Sequence, residues 1–263
     1  MISPKTLKEI PFKKISPQKL KELPFRKIAP NIVTMLALCS GVTSIRYAMD
    51  GNWMKACLCI FVAAILDGLD GRVARLLKAS SKFGAELDSL SDFVSFGVAP
   101  AILVYKWSLF DLPKIGWFCA LLLAMASALR LARFNTMLDD VKQPKYWDNF
   151  FVGVPAPAAA MLAILPVIAS FEFADWSFLR SHLLNAVVLF VVAMLMVSRI
   201  PTISTKKMKV KSYMFVPIMI FVVFFASLII SQPWLVLASL TAFYLVSIPV
   251  GVLWFLSAKN KNS

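Results

Sequence analysis

The sequence predicts an all-α membrane protein, a polytopic bundle of about eight transmembrane helices. Three observations support this fold class. Hydrophobic residues make up 59% of the 263 residues and charged residues only 16%, which is too apolar for an ordinary soluble domain. The mean hydropathy is +0.75. The apolar residues are also collected in segments of about 20 residues, the length that a helix needs to cross a bilayer.

The first 30 residues form a basic tail with an internal repeat. Residues 2–14 read ISPKTLKEIPFKK, residues 15–27 read ISPQKLKELPFRK, and a third copy begins at Ile28. Each unit places Leu, Ile or Phe among several lysines, and its prolines limit it to about two helical turns. The units could lie as short interfacial helices on an anionic membrane surface. They could equally form a disordered tail that only orients the chain.

Eight apolar segments follow the tail. We predict spans at residues 31–49, 53–77, 86–107, 114–134, 152–170, 181–199, 213–231 and 234–256. An even number of spans places both termini on one side of the membrane. The tails and loops of that side carry 23 of the 28 Lys and Arg residues, so the positive-inside rule predicts that this side is cytoplasmic. The same rule explains the net charge of +14, and we predict no nucleic-acid partner.

The second, third and fourth spans have apolar parts that are too short to cross a membrane. Each needs about five further residues, and those residues include charged side chains. They are Asp67 and Asp70 in the second span, Asp88 and Asp92 in the third, and Arg130 and Arg133 in the fourth. Ionisable groups at this depth normally face a polar cavity and mark a functional site. The sequence therefore predicts one shared cavity at the cytoplasmic membrane surface.

The four aspartates are predicted to bind a metal ion. Asp67 and Asp70 are three residues apart, and Asp88 and Asp92 are four apart, so each pair shares a helical face. Four carboxylates at close range need a compensating cation, and oxygen ligands suit Mg²⁺ or Mn²⁺. Salt bridges to neighbouring arginines would be a structural alternative. A cation transporter is another, although it predicts carboxylates near the middle of the membrane with openings to both sides.

The residues beside the aspartates indicate a diphosphate ligand. Gly71 and Ala74 follow the first pair on the same face, and their small side chains let a bulky group approach the backbone. Gly84 lies on the face of Asp88. Arg75 and Lys78 add positive charge that suits a phosphate.

These residues also form a recognisable motif. Residues 67–92 fit the pattern D-x2-D-G-x2-A-R-x8-G-x3-D-x3-D without a gap, which resembles the signature of the CDP-alcohol phosphatidyltransferases. These integral membrane enzymes move a phosphatidyl or similar group from a CDP-linked donor to an alcohol and release CMP. The resemblance implies that the four aspartates surround a divalent metal and that Asp92 is the catalytic base.

The resemblance also predicts the donor site. The positions of Gly71, Ala74 and Arg75 line the nucleotide site in that family, and Asn31 and Thr34 resemble the entry of its first helix. The predicted donor-binding residues are Asn31, Thr34, Asp67, Gly71, Ala74, Arg75, Lys78 and Gly84.

Three further segments resemble the phosphatidylserine synthase branch of the family, namely residues 88–100, 128–135 and 151–160. The resemblance implies CDP-diacylglycerol and L-serine as substrates, and a homodimer. Arg130 and Arg133, three residues apart on a helix, offer fork-shaped donors for a carboxylate or a phosphate, and Asn135 follows them. Binding of serine and binding of the donor phosphate both stay open. A sister enzyme that uses glycerol 3-phosphate, inositol or choline is the alternative.

The predicted organisation has three parts. Residues 1–30 are the cytoplasmic tail, residues 31–200 a six-helix catalytic core, and residues 201–263 two further transmembrane helices with a short basic end. The last part is marked by hydrophobicity alone.

Overall fold

The computed structural model describes residues 25–77, 79, 81–139, 150–198, 201–203, 219, 224 and 227–262. The tail repeat, Lys78 and most of the seventh predicted span lie outside these residues.

The described residues form a helical bundle, which confirms the predicted all-α membrane class. Its helices are α1 (Phe25–Met49), α2 (Trp53–Leu76), α3 (Lys82–Leu109), α4 (Pro113–Asp139), α5 (Ala156–Glu172), α6 (His182–Val197) and α7 (Pro233–Asn262). They occupy the first six predicted spans and the eighth. Within the seventh, residues 219, 224 and 227–231 are helical.

Helix α3 widens twice along its length. Its π-helical turns are Phe93–Val98 and Tyr105–Leu109. Pro100 follows the first of them; a proline ring excludes the usual bond to the carbonyl four residues earlier. The N–H of Ala99, the residue before Pro100, bonds to the carbonyl of Val94, five residues back. This wide turn begins directly after Asp92. Single π-helical turns inside an α-helix are frequently found at functional sites.

A small antiparallel ribbon, which the sequence analysis did not predict, joins two loops. Strand β1 (Phe150–Val152) pairs with β2 (Pro201–Ile203), and Phe151 faces Thr202. The fifth span was predicted to begin at residue 152, whereas α5 begins at Ala156. The difference arises because Val152 belongs to β1 and Gly153 turns the chain with a φ of +79°.

Serine hydroxyls hold α1 against its neighbours. Ser40 and Ser44 of α1 donate to the carbonyls of Cys59 and Ala56 in α2, each at 2.8 Å. Such interhelical hydrogen bonds and close backbone approach are the usual means of packing helices in lipid. The contacts fix α1 against the helix that carries the first aspartate pair.

The contact between α1 and α3 depends on Gly41. A Cβ atom at Gly41 would lie 2.8 Å from the Cα of Ser95, which is closer than carbon atoms approach. The hydroxyl of Ser95 donates to the carbonyl of Ala37 at 3.3 Å. The helix with the second aspartate pair is thus fixed against α1 as well.

Four described helices are long and apolar enough to cross a membrane, by length and composition. Their spans are Ile28–Met49, Lys82–Leu109, Pro113–Thr136 and Pro233–Gly251. Helices α5 and α6 are apolar but shorter, and the last turns of α2 carry charged residues. The chain is an integral membrane protein.

Candidate functional site

The predicted carboxylates meet where α2 ends and α3 begins. Asp67, Asp70 and Asp88 each bring a carboxylate oxygen within 4.8 Å of the other two. Asp70 is 5% exposed. Asp92 lies one turn after Asp88, and its carboxyl group is within hydrogen-bond reach of the Asp67 carboxyl. Carboxylates this close repel each other unless a proton or a cation lies between them.

The arrangement fits a divalent cation. The Oδ1 atom of Asp88 is buried and has no hydrogen-bond partner among the described residues, so it can bind an ion. None of the four aspartates forms an ion pair with a Lys or Arg in the described part of the chain. Arg130 interacts electrostatically with Asp92 and Asp67, but the described residues do not form the ion-paired cluster that a purely structural role would need. Carboxylate oxygens are the ligands that Mg²⁺ and Mn²⁺ prefer.

Helix α1 orients one of the carboxylates. The hydroxyl of Thr34 donates to Oδ2 of Asp70 at 2.7 Å, and Thr34 is only 4% exposed. Ser91 of α3 donates in turn to the carbonyl of Thr34 at 3.2 Å. A single buried threonine thus connects the three helices that build the site.

A cavity of about 200 Å³ lies beside the carboxylates, and Asp70 and Asp88 form part of its wall. It brings together six of the predicted donor-binding residues, Asn31, Thr34, Gly71, Ala74, Arg75 and Gly84. Asp67 belongs to the adjoining cluster, and Lys78 lies outside the described residues. Ser81 and Ala85 also line the cavity, and neither was among the predicted site residues.

Small residues keep this cavity open. Apart from the neighbouring backbone of α2, no heavy atom of the described residues lies within 4 Å of the position that a Cβ would take at Gly71. At Gly84, a Cβ would lie 3.0 Å from Oδ1 of Asn31. A larger residue at position 84 would therefore push against the entry of α1, whereas one at position 71 would extend into the free space.

The cavity also faces the start of α3. Ser81 is the N-cap of this helix, and its hydroxyl accepts from the Gly84 N–H at 3.0 Å. A helix N-terminus carries free N–H groups and a partial positive charge, which suit an anionic ligand. A serine directly before a helical segment is a known N-cap signal, and it could have identified Ser81 from the sequence.

The three residues predicted to bind the acceptor or a phosphate have different surroundings. Arg130 interacts electrostatically with Asp92 and Asp67, and its buried Nε has no hydrogen-bond partner within the described ranges. Arg133 donates to the carbonyls of Val197 and Ser198 at 2.8 and 3.2 Å. Asn135 donates to the hydroxyl of Ser89 at 3.0 Å. Their proposed roles stay predictions, but only Arg130 is beside the aspartates.

An apolar cavity of about 250 Å³ lies between α2, α5 and α7. Phe61 and Ala64 of α2, Met161 of α5, and Leu240 and Tyr244 of α7 are among its lining residues. Tyr244 also interacts electrostatically with Arg130. Helix α7 therefore lies against the site region, although its sequence showed nothing beyond hydrophobicity.

Comparison with known proteins agrees with this geometry. The CDP-alcohol phosphatidyltransferase family profile matches residues 27–197, which is more than half of the chain, and the profile CDP-alcohol phosphatidyltransferase 2 matches residues 213–249.

Individual relatives resemble much of the chain. A protein of Mycobacterium leprae named CDP-diacylglycerol--serine O-phosphatidyltransferase is 40% identical over 221 residues, which cover 84% of this chain and 73% of that protein. A protein of Helicobacter pylori with the same name is 36% identical over 218 residues, 82% of this chain and 87% of that protein. The archaetidylserine synthase of Methanothermobacter thermautotrophicus is 36% identical over 172 residues, 65% of this chain and 67% of that protein. Together with the carboxylate cluster and its cavity, these matches show that the chain belongs to the CDP-alcohol phosphatidyltransferase family.

Proposed function

We propose that this protein transfers the phosphatidyl group of CDP-diacylglycerol to the hydroxyl of L-serine and releases phosphatidylserine and CMP. One observation carries the proposal. The carboxylate cluster borders a cavity for an anionic ligand in a chain that is 36–40% identical, over more than four fifths of its length, to two bacterial enzymes of that name.

The relatives also favour serine as the acceptor. The bacterial and archaeal names differ in the lipid, phosphatidyl in one and archaetidyl in the other, but serine occurs in both. The names of the three relatives therefore agree on serine and differ in the lipid group. Glycerol 3-phosphate, inositol and choline are the acceptors to test against it.

The donor nucleotide and its diphosphate would occupy the cavity of about 200 Å³. Gly71 and Ala74 leave room for the nucleotide on one wall. The N-terminus of α3 and the guanidinium of Arg75 supply positive charge for the diphosphate. Arg75 is exposed and its Nε donates to the Gly71 carbonyl at 3.0 Å, so its outer nitrogens can turn toward a phosphate.

Asp67, Asp70 and Asp88 would hold the divalent metal, Mg²⁺ or Mn²⁺, with the Asp92 carboxyl adjoining Asp67 as the fourth predicted ligand. Such an ion neutralises charge on the diphosphate and makes CMP a better leaving group. The chain's own contribution is to keep the carboxylates in place, and the Thr34 hydroxyl does this for Asp70.

Asp92 would act as the general base. It accepts the proton of the serine hydroxyl while the serine oxygen forms a bond to the lipid-bearing phosphorus and the bond from that phosphorus to CMP breaks. Arg130 lies beside Asp92 and has an unused Nε donor. A guanidinium in this place can bind the carboxylate of serine, which would bring the hydroxyl to Asp92. Binding a donor phosphate is the other role predicted for Arg130.

The lipid part of the substrates would remain in the membrane. The apolar cavity between α2, α5 and α7 suits an acyl chain, because its described lining is almost entirely hydrophobic. The positive-inside distribution favours a cytoplasmic position for the polar cavity and for both termini. A homodimer, expected from the family resemblance, belongs to the same proposal.

The decisive experiment measures CMP release by the purified protein from CDP-diacylglycerol, with Mg²⁺ or Mn²⁺ present. We expect release only when serine is added, phosphatidylserine as the lipid product, and loss of activity with a chelator that excess metal reverses. Turnover with glycerol 3-phosphate, inositol or choline in place of serine would identify a sister enzyme. Cation flux into proteoliposomes without CMP release would identify a transporter.

A further inference from the structure

The guanidinium of Arg133 is occupied by the backbone of another helix. Its Nη1 donates to the Val197 carbonyl at 2.8 Å and its Nη2 to the Ser198 carbonyl at 3.2 Å. Val197 is the last residue of α6. The last carbonyls of a helix lack partners within it and carry the negative end of its dipole. The fork of a guanidinium satisfies two of them and matches their charge.

The β ribbon meets α6 at the same point. A Cβ at Gly153 would lie 3.0 Å from the Ser198 carbonyl and 3.6 Å from Nη2 of Arg133. Gly153 follows β1 directly, and β2 begins three residues after Ser198. Both strands are therefore joined to the segment that Arg133 holds.

Arg130 lies one turn before Arg133 on α4, so the two share a helical face. Arg130 is the arginine that interacts with Asp92 and Asp67, and the structure gives its Nε no hydrogen-bond partner. The position of the Arg130 guanidinium consequently depends on the position of α4 in the bundle. The contacts of Arg133 add two hydrogen bonds between α4 and the end of α6, next to the face that carries Arg130.

From these contacts we infer that Arg133 is a positioning residue and not a substrate ligand. It fastens the end of α6 and the β ribbon to α4, and so holds Arg130 beside the aspartates. This inference rests on the proposed function in assigning substrate binding to Arg130, and it departs from the sequence-based prediction that Arg133 contacts serine or phosphate.

The first test combines kinetics with hydrogen–deuterium exchange on the Arg133→Gln variant. We expect faster deuterium uptake at residues 150–153 and 202–203, and a KM for serine that rises about tenfold, in line with the loss of charged hydrogen bonds. Unchanged uptake in the ribbon would overturn the inference. The exchange measurement does not require turnover, so it tests the clamp even if the acceptor proves to be another alcohol.

The second test asks whether Arg133 acts through Arg130. Residues that act as one unit have non-additive effects. In an Arg130→Lys background, we expect Arg133→Gln to raise the KM for serine by less than a factor of two. If the increases in serine KM caused by Arg130→Lys and by Arg133→Gln multiply in the double variant, Arg133 contributes to binding independently, and the inference is overturned.

The third test leaves the guanidinium in place. Gly153→Ala introduces a Cβ against the Ser198 carbonyl at a φ of +79°, which should loosen the ribbon and raise the KM for serine. Gly51→Ala is the matched control, because Gly51 also has a positive φ, +73°, but lies in the turn between α1 and α2. An unchanged serine KM in Gly153→Ala, with a loosened ribbon, would overturn the inference.

Discussion

At the scale of single residues, Asp92 is the group on which the proposed chemistry depends most. A positioned general base typically contributes a factor of about 10²–10⁴ to a rate. Asp92→Asn keeps the size of the side chain but removes its ability to accept the proton. We expect CMP release to fall by about that factor while binding of CMP, measured by calorimetry, stays within about twofold.

Asp50→Asn is the control for this variant. Asp50 forms an exposed ion pair with Arg46 at 3.9 Å, with 60% of its side chain accessible, and such pairs contribute little. It should release CMP at the rate of the unmodified protein. If Asp92→Asn also does so, Asp92 is not the base.

Thr34 permits a second prediction, on metal affinity. Thr34→Val has almost the same shape but removes the hydrogen bond to Oδ2 of Asp70. Loss of a group that orients a metal ligand commonly lowers metal affinity 10- to 100-fold. We therefore expect the Mg²⁺ or Mn²⁺ concentration for half-maximal activity to rise by about that factor, with activity restored at high metal.

The matched control is Thr43→Val in the same helix. The Thr43 hydroxyl donates to the Cys39 carbonyl at 2.6 Å, away from the aspartates, so the metal requirement should not change. An equal metal requirement in Thr34→Val and the unmodified protein would show that Asp70 needs no support from α1.

At the scale of secondary-structure elements, the helices could be predicted because each lies in a predominantly apolar segment whose length is near that of a membrane span. The β ribbon could not, since strands of three residues are too short to show an alternating pattern. The start of α5 at Ala156 was missed for a related reason. Val152 is apolar like the helix that follows, and only the paired strand and the turn at Gly153 separate the two.

The contact between α1 and α3 gives the prediction at this scale. Gly41→Ala places a Cβ 2.8 Å from the Cα of Ser95, and overpacking of this kind usually costs about 1–3 kcal/mol. We expect a lower thermal unfolding temperature in detergent, partly recovered in the double variant Gly41→Ala/Ser95→Gly, where the facing side chain is removed.

Gly68→Ala is the control for this packing. Outside its own helical turn, no heavy atom in the described part of the chain lies within 4 Å of a Cβ at Gly68, and alanine favours a helix over glycine. Its unfolding temperature should therefore not decrease. An equal decrease in both variants would mean that the close approach of α1 and α3 does not limit stability.

At the scale of the whole molecule, the cluster of Asp67, Asp70 and Asp88 could be predicted from spacing, because facing helices bring such pairs together. The different surroundings of Arg130 and Arg133 could not. They depend on where α6 ends, and α6 is distant from α4 in the sequence. The proximity of Tyr244 to Arg130 could not be predicted either, because the hydrophobicity of a helix does not indicate which other helix it contacts.

The orientation of the molecule in the membrane provides the last prediction. Helix α3 spans 28 residues, Lys82–Leu109, which at 1.5 Å per residue exceeds the roughly 30 Å of hydrocarbon. We therefore expect its two ends to lie on opposite sides of the membrane. Since the positive-inside rule predicts that the loop before α3 is cytoplasmic, Lys82 should be cytoplasmic and Asp111, just after α3, should face outward. Both residues are exposed.

Cysteine labelling tests this orientation. In a protein without its four cysteines, an impermeant maleimide should label Asp111→Cys in right-side-out vesicles and Lys82→Cys only in inverted ones. The opposite labelling would place the polar cavity on the outer surface. The cavity would then not be accessible to CDP-diacylglycerol and serine on the cytoplasmic side, which would contradict the prediction.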